Sequence, residues 1–177
     1  MSLAFLTDSA RIPDPAAIIT TLPAGTGVIY RDYSAPARFD HACRFADFCI
    51  EHNLIFYLAG DPSLAQRAGA HGVHLPARQA AQAPQIAKGL LLSVSCHNAE
   101  EIQQAEDLGA DSLFLSPVFA TASHPDAAPL GVDVFKALAA ESSTPVLALG
   151  GVSEDTADQL RGPNIAGFGA IGAFTDS

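Results

Sequence analysis

The chain has 177 residues, 49% of them hydrophobic and 16% charged, and nine Lys plus Arg against nineteen Asp plus Glu give a net charge of −10. This content suits one globular domain, residues 1–177, with a sizeable core, and it excludes a disordered chain, a collagen and a coiled coil. The negative field repels nucleic acid and anionic membranes, apolar runs stay far below the roughly 20 residues of a membrane span, and a signal peptide's basic region and cleavage site are missing. The expected location is therefore the cytoplasm, with neither nucleic acid nor membrane as partner.

In chain order, the first apolar run of strand length is Leu3 to Thr7, followed by Asp8 and Ser9. Asp14 before Pro15 is an amino-cap and first-turn pair. Gly27 to Tyr30 reads as strand two and ends at Arg31, Asp32 and Tyr33. Ala42, Phe45 and Cys49 then recur at helical spacing, with His41 and His52 expected on the surface of that helix. Strand three, Leu54 to Leu58, ends at Ala59, Gly60 and Asp61, and strand four, Gly72 to Leu75, is followed by Pro76 and Gln79. Inside strand four, His74 faces opposite to Val73 and Leu75. It has no second His or carboxylate at metal spacing, so a hydrogen-bonded core histidine is expected rather than a ligand.

Strand five, Leu90 to Ser95, leads through Cys96 and His97 into Asn98 and Glu101, which have capping-box spacing before the helical run Ile102, Ala105, Gly109. Strand six, Ser112 to Ser116, opens a long loop from Pro117 to His124, with Thr121 and Ser123 between prolines, that reads as a cover over a site. A helix through Val134, Phe135, Leu138 and Ala139 precedes strand seven, Pro145 to Leu149, which ends in Gly150 and Gly151. Ser153 with Glu154 and Asp155 starts another helix, and strand eight, Gly167 to Ile171, ends at Gly172 and Ala173.

Eight βα units in this length imply an α/β fold, a compact (β/α)8 TIM barrel with a truncated last βα unit; a doubly wound open sheet is the competing topology. Too few residues follow strand eight to cover its flank with a helix, so a homodimer is expected to use that edge. Cys43, Cys49 and Cys96 contain no close pair and read as small buried hydrophobes rather than a zinc or redox site. The two lysines, Lys88 and Lys136, fall away from strand ends, which disfavours a Schiff-base aldolase. Ser95 has no nucleophile-elbow pattern around it, which leaves a Ser-His-Asp hydrolase little support.

A barrel carries its chemistry on the loops after its strands. Gly150 and Gly151 after strand seven, with Ile171 and Gly172 ending strand eight, form the expected phosphate-binding pair of loops, because bare backbone amides can approach an anion closely. Arg31 is the expected cation at the mouth, either holding a phosphate or paired with Asp8 or Asp32.

The segments TDS (Thr7 to Ser9), GVHLP (Gly72 to Pro76), SVSCHNAEE (Ser93 to Glu101), GADSLFLSPVFATASHP (Gly109 to Pro125), PLG (Pro129 to Gly131) and PVLALGGVS (Pro145 to Ser153) run in order along the chain. Together they resemble the thiamine phosphate synthase and TenI family. The resemblance implies a barrel that is often dimeric, and synthase members that join hydroxymethylpyrimidine pyrophosphate to a thiazole phosphate with magnesium. Tautomerase members isomerise the thiazole.

By that resemblance Arg31 and His124 hold the leaving group as catalytic residues, Ser95, Thr121 and Ser123 bind substrate, and Gly150, Gly151 and Gly172 hold the thiazole phosphate. The magnesium positions fall on Ala59, Gly60 and Gln79, which carry no carboxylate, and the tautomerase histidine falls on Pro117. Three readings follow: a synthase, a metal-free thiazole tautomerase with His124 or His74 as proton carrier, and a non-catalytic binder of a phosphorylated thiamine intermediate.

Overall fold

In a computed structural model, which describes residues 3–80, 89–121 and 127–171, strands and helices alternate along the chain. They are β1 (Leu3–Leu6), α1 (Pro15–Ile19), β2 (Gly27–Tyr30), α2 (Arg38–Glu51), β3 (Ile55–Ala59), α3 (Pro62–Arg67), β4 (Gly72–Pro76) and α4 (Ala77–Ala80). There follow β5 (Leu91–Cys96), α5 (Ala99–Asp107), β6 (Ser112–Leu115), α6 (Val132–Glu141), β7 (Val146–Ala148), α7 (Glu154–Ala157) and β8 (Ile165–Ala170). The strands pair in parallel in sequence order, and β1 closes on β8, so the sheet is a closed barrel rather than the open alternative.

Two sets of side chains explain why the strands are apolar on both faces. Val28, Phe56, Leu58, Val73, Leu75, Val94, Leu113 and Val146 pack outward with the helices. Leu6, Ile29, Tyr57, Phe114 and Leu147 fill the barrel itself. So narrow an interior admits large rings only where the facing strand is bare. A Cβ on Gly72 would lie 2.5 Å from the Tyr57 ring, and one on Gly169 would lie 2.8 Å from Phe114.

Helix starts follow the local chemistry read from the sequence. Asp14 accepts from the amides of Ala16 and Ala17, and Asn98 accepts from the amide of Glu101. The Glu101 carboxylate instead reaches His97, accepting from its backbone N–H at 2.7 Å and meeting its Nδ1 at 2.8 Å. At α7 the partner of Ser153 is Thr156, whose hydroxyl accepts from the Ser153 amide. His41 lies within α2 and His52 is that helix's C-cap, and both are half-buried. The outer flank of β8 is only half-buried from Ile165 to Phe168, and among the described residues no helix follows it.

Candidate functional site

Arg31 enters the mouth from the end of β2, pinned by the residue that ends β1. Its backbone N–H donates to Thr7 Oγ1 at 3.0 Å and its Nε to the Thr7 carbonyl at 3.1 Å. Its Nη2 lies 3.8 Å from Asp8 Oδ2, a carboxylate that Arg11 shares at 3.6 Å. Burial pulls the Arg31 pKa below its ordinary value while Asp8 pushes it back up, and a guanidinium stays charged throughout the physiological range. Arg31 is thus a fixed cation with one shared counter-ion.

Deeper in the barrel, His74 points inward from β4. Its Nδ1 is 2.9 Å from Ser93 Oγ, its Nε2 is 2.8 Å from Ser95 Oγ, and its ring meets Phe114 edge-on at 5.3 Å between centroids. Burial, helped by the Arg31 charge, pushes its pKa down to about 3. A group locked neutral, with both nitrogens engaged, cannot shuttle a proton near pH 7. This environment fits the hydrogen-bonded core histidine expected from the sequence better than the proton carrier of a tautomerase. Ser95, half-buried at the end of β5, has this imidazole as the partner of its hydroxyl.

The wall from β2 to β4 holds a residue that sequence reasoning missed. Arg38, in the first turn of α2, folds back so that Nε donates to the Asp32 carbonyl at 3.1 Å and Nη2 donates to the Ala59 carbonyl at the end of β3. Its guanidinium also lies 5.4 Å from the Tyr33 ring centroid and 6.0 Å from that of Tyr30. Beside it, the Gln79 amide donates to the Gly60 carbonyl, and Gly60 is pressed against Tyr33. Strand-end counting overlooks Arg38 because it lies several residues past β2. The available signal was a second arginine preceding an apolar helix face.

The opposite wall is built by β6 and β7. Gly150 and Gly151 have φ of +89° and +66°, and Cβ atoms there would meet Pro117 and the Ala120 carbonyl respectively. The loop after β6 is stitched over them: Val118 N–H donates to Leu149 O at 2.9 Å and Phe119 N–H to Gly150 O at 3.0 Å. The Gly150 and Gly151 amides donate to no acceptor among the described residues. Thr121 is half-buried at the end of this stitched segment, and Ile171 packs against the barrel's inner cluster. Ser123, His124 and Gly172 lie outside the described residues.

No group of three or more His, Cys, Asp or Glu among the described residues is arranged to hold a metal ion. The donor set agrees poorly with the magnesium that the resemblance implies, since Ala59 and Gly60 offer no side-chain oxygen and a guanidinium already binds the Ala59 carbonyl. A cavity of about 840 Å³ lies between the loops after β1 and β2 and the face of α2, lined by Ser9, Tyr30, Asp32, His41, Arg44 and Phe45 among others.

Comparison with known proteins places this geometry in context. The sequence model of the TMP-TENI family, described as thiamine monophosphate synthase, matches residues 3–174. A thiamine-phosphate synthase of Coprothermobacter proteolyticus is 33% identical over 84% of this chain and 72% of its own length. The bifunctional thiamine-biosynthesis protein ThiM/ThiE of Symbiobacterium thermophilum is 31% identical over 98% of this chain, which spans 37% of that longer protein. The structure of a thiamine phosphate pyrophosphorylase from Pyrococcus furiosus superposes with a TM-score of 0.84 at 24% identity, covering 97% of this chain and 86% of that one, a likeness of fold.

Proposed function

The chain belongs to the thiamine monophosphate synthase family, and we propose that it is a thiamine-biosynthesis transferase coupling hydroxymethylpyrimidine pyrophosphate to thiazole phosphate. The observation that carries this reading is a family match over nearly the whole barrel, joined to a glycine pair whose amides find no acceptor among the described residues. In the reaction the thiazole nitrogen attacks the pyrimidine methylene. A C–N bond forms, the C–O bond to pyrophosphate breaks, and the leaving group takes the bonding pair.

Catalysis of that step needs two things from the protein: alignment of nitrogen with carbon, and neutralisation of charge developing on the leaving oxygen. Gly150, Gly151, Ile171 and Gly172 hold the thiazole phosphate. Ser95, Thr121 and Ser123 orient the pyrimidine, and Arg31 with His124 receives the pyrophosphate. Arg38 adds a second fixed guanidinium to the wall on which Ala59, Gly60 and Gln79, at the family's magnesium positions, carry no carboxylate. Those three residues do not suit that ion.

The missing carboxylates favour one second reading, a binder that holds a phosphorylated thiamine intermediate without turnover. Purified protein incubated with both substrates separates the two. Thiamine phosphate formation supports the synthase, whereas thiazole-phosphate binding by calorimetry without product supports the binder. Absence of both would remove the thiamine assignment.

The same reading includes a homodimer through the half-covered flank of β8, which light scattering across a wide concentration range tests, and a cytoplasmic location. No helix among the described residues is long and apolar enough to cross a membrane.

A further inference from the structure

The Ser93–His74–Ser95 chain has a direction that its burial dictates. A neutral imidazole offers one N–H and one lone pair, so one serine must donate to the ring and the other accept from it. Ser93 is fully buried, and its hydroxyl has His74 Nδ1 as its partner at 2.9 Å. The hydroxyl nearest in register, Ser112 on β6, is buried and hydrogen-bonds to nothing among the described residues, Ser93 included, so it does not serve as an alternative acceptor. If Nδ1 carried the proton, the Ser93 O–H would be left without an acceptor in a dry interior. If Nδ1 is bare, Ser93 donates to it and is satisfied.

The second arrangement puts the proton on Nε2, which then donates to Ser95 Oγ across 2.8 Å. Ser95 is half-buried at the mouth. With one lone pair occupied by the imidazole, its own O–H is free to point at whatever occupies the mouth. Phe114, edge-on against the imidazole at 5.3 Å between centroids, holds the ring plane so that both bonds persist.

We infer that Ser93 and His74 are positioning residues that turn the Ser95 O–H away from the imidazole and toward the mouth, where it donates to an acceptor on the ligand, an unprotonated ring nitrogen or a phosphoryl oxygen. The ligand side of this inference rests on the proposed thiamine reading; the direction of the relay does not.

Nitrogen-15 NMR of histidine-labelled protein reads the tautomer directly, with the His74 signal assigned by its loss in His74→Asn or, should that variant not fold, by its shift in Ser93→Ala. The expected result is a protonated Nε2 and a bare Nδ1, and a protonated Nδ1 overturns the proposal. For the ligand, calorimetry with hydroxymethylpyrimidine pyrophosphate is expected to show Ser93→Ala binding about tenfold more weakly, the scale of one redirected hydrogen bond. Ser93→Ala added to Ser95→Ala is expected to cost nothing further, because the two act through one bond; fully additive losses overturn the relay. Wild-type protein that shows the expected tautomer but binds no pyrimidine pyrophosphate would retain the relay and remove the synthase reading.

Discussion

Gly150 lies directly beneath Pro117, so close that a β-carbon on the glycine would sit 2.7 Å from that of the proline. Gly151 repeats the contact one residue on, where a β-carbon would lie 2.5 Å from the Ala120 carbonyl and 2.8 Å from Phe119 Cβ. Both residues also occupy positive φ, so an added methyl group meets backbone strain and steric conflict at once. Gly150→Ala and Gly151→Ala are each expected to cost about 1–3 kcal/mol in chemical denaturation and to weaken thiazole-phosphate binding by displacing the stitched loop. Wild-type stability and affinity in both variants would show that neither the turn nor the anion needs bare glycine here.

The same pair shows how far sequence alone reaches. Glycine identity and position after an apolar strand are legible, and so is the barrel, because double-faced strands such as LLLSVS and PVLALG have few other uses. That the glycines also make room for Pro117 and Ala120 depends on a contact between two loops, which no local pattern encodes. Arg38 escaped for a similar reason: its bond to the Ala59 carbonyl spans 21 positions and exists only once β2 and β3 are paired. His74 was readable as an inward core residue from alternation, whereas its two serine partners follow from the β4–β5 register, with His74 opposite Ser93.

Acid should expose the buried histidine. In the unfolded chain an imidazole titrates near 6.5, while burial, and secondarily Arg31, holds His74 neutral down to about 3. Folding thus excludes a proton between those values. Stability contributed by the neutral ring is complete above pH 6.5 and is lost as pH falls toward 3, by at most about 1.4 kcal/mol per pH unit. Denaturant titrations from pH 7 to pH 4 are expected to show a shallower acid decline in His74→Asn than in wild type. Parallel curves would mean that His74 is not the excluded site.

Fixed guanidinium groups make a different prediction about divalent cations. Arg31 is held by Thr7 and Arg38 by the Asp32 and Ala59 carbonyls, so both charges are in place before ligand arrives. Inorganic pyrophosphate is expected to bind with an affinity that changes less than about threefold when a chelator removes magnesium, and Arg31→Met is expected to weaken it tenfold or more, about 1.4 kcal/mol. Replacing Arg38 with Met should also lower affinity, with a smaller effect because that side chain is already committed to two carbonyls. Loss of pyrophosphate binding on chelation alone would return the leaving-group role to a metal.

Thiol chemistry tests the packing of α2 and β5 independently of any ligand. Cys49 and Cys96 are buried, and their pKa values are pushed up to about 12, by burial for Cys49 and by burial with Glu101 and Glu106 for Cys96. Neither thiol therefore presents thiolate at neutral pH, and the Cys96 Sγ is further occupied in donating to the Glu101 carbonyl at 3.4 Å. Cys43 is half-buried just before the middle of α2 and is the thiol that solvent can reach. An aromatic disulfide reagent at pH 8 is expected to label Cys43 promptly in the native protein, and Cys49 and Cys96 only at the rate of unfolding. Prompt labelling of all three would mean that the helix does not seal against the barrel as its buried Ala42, Ala46 and Cys49 require.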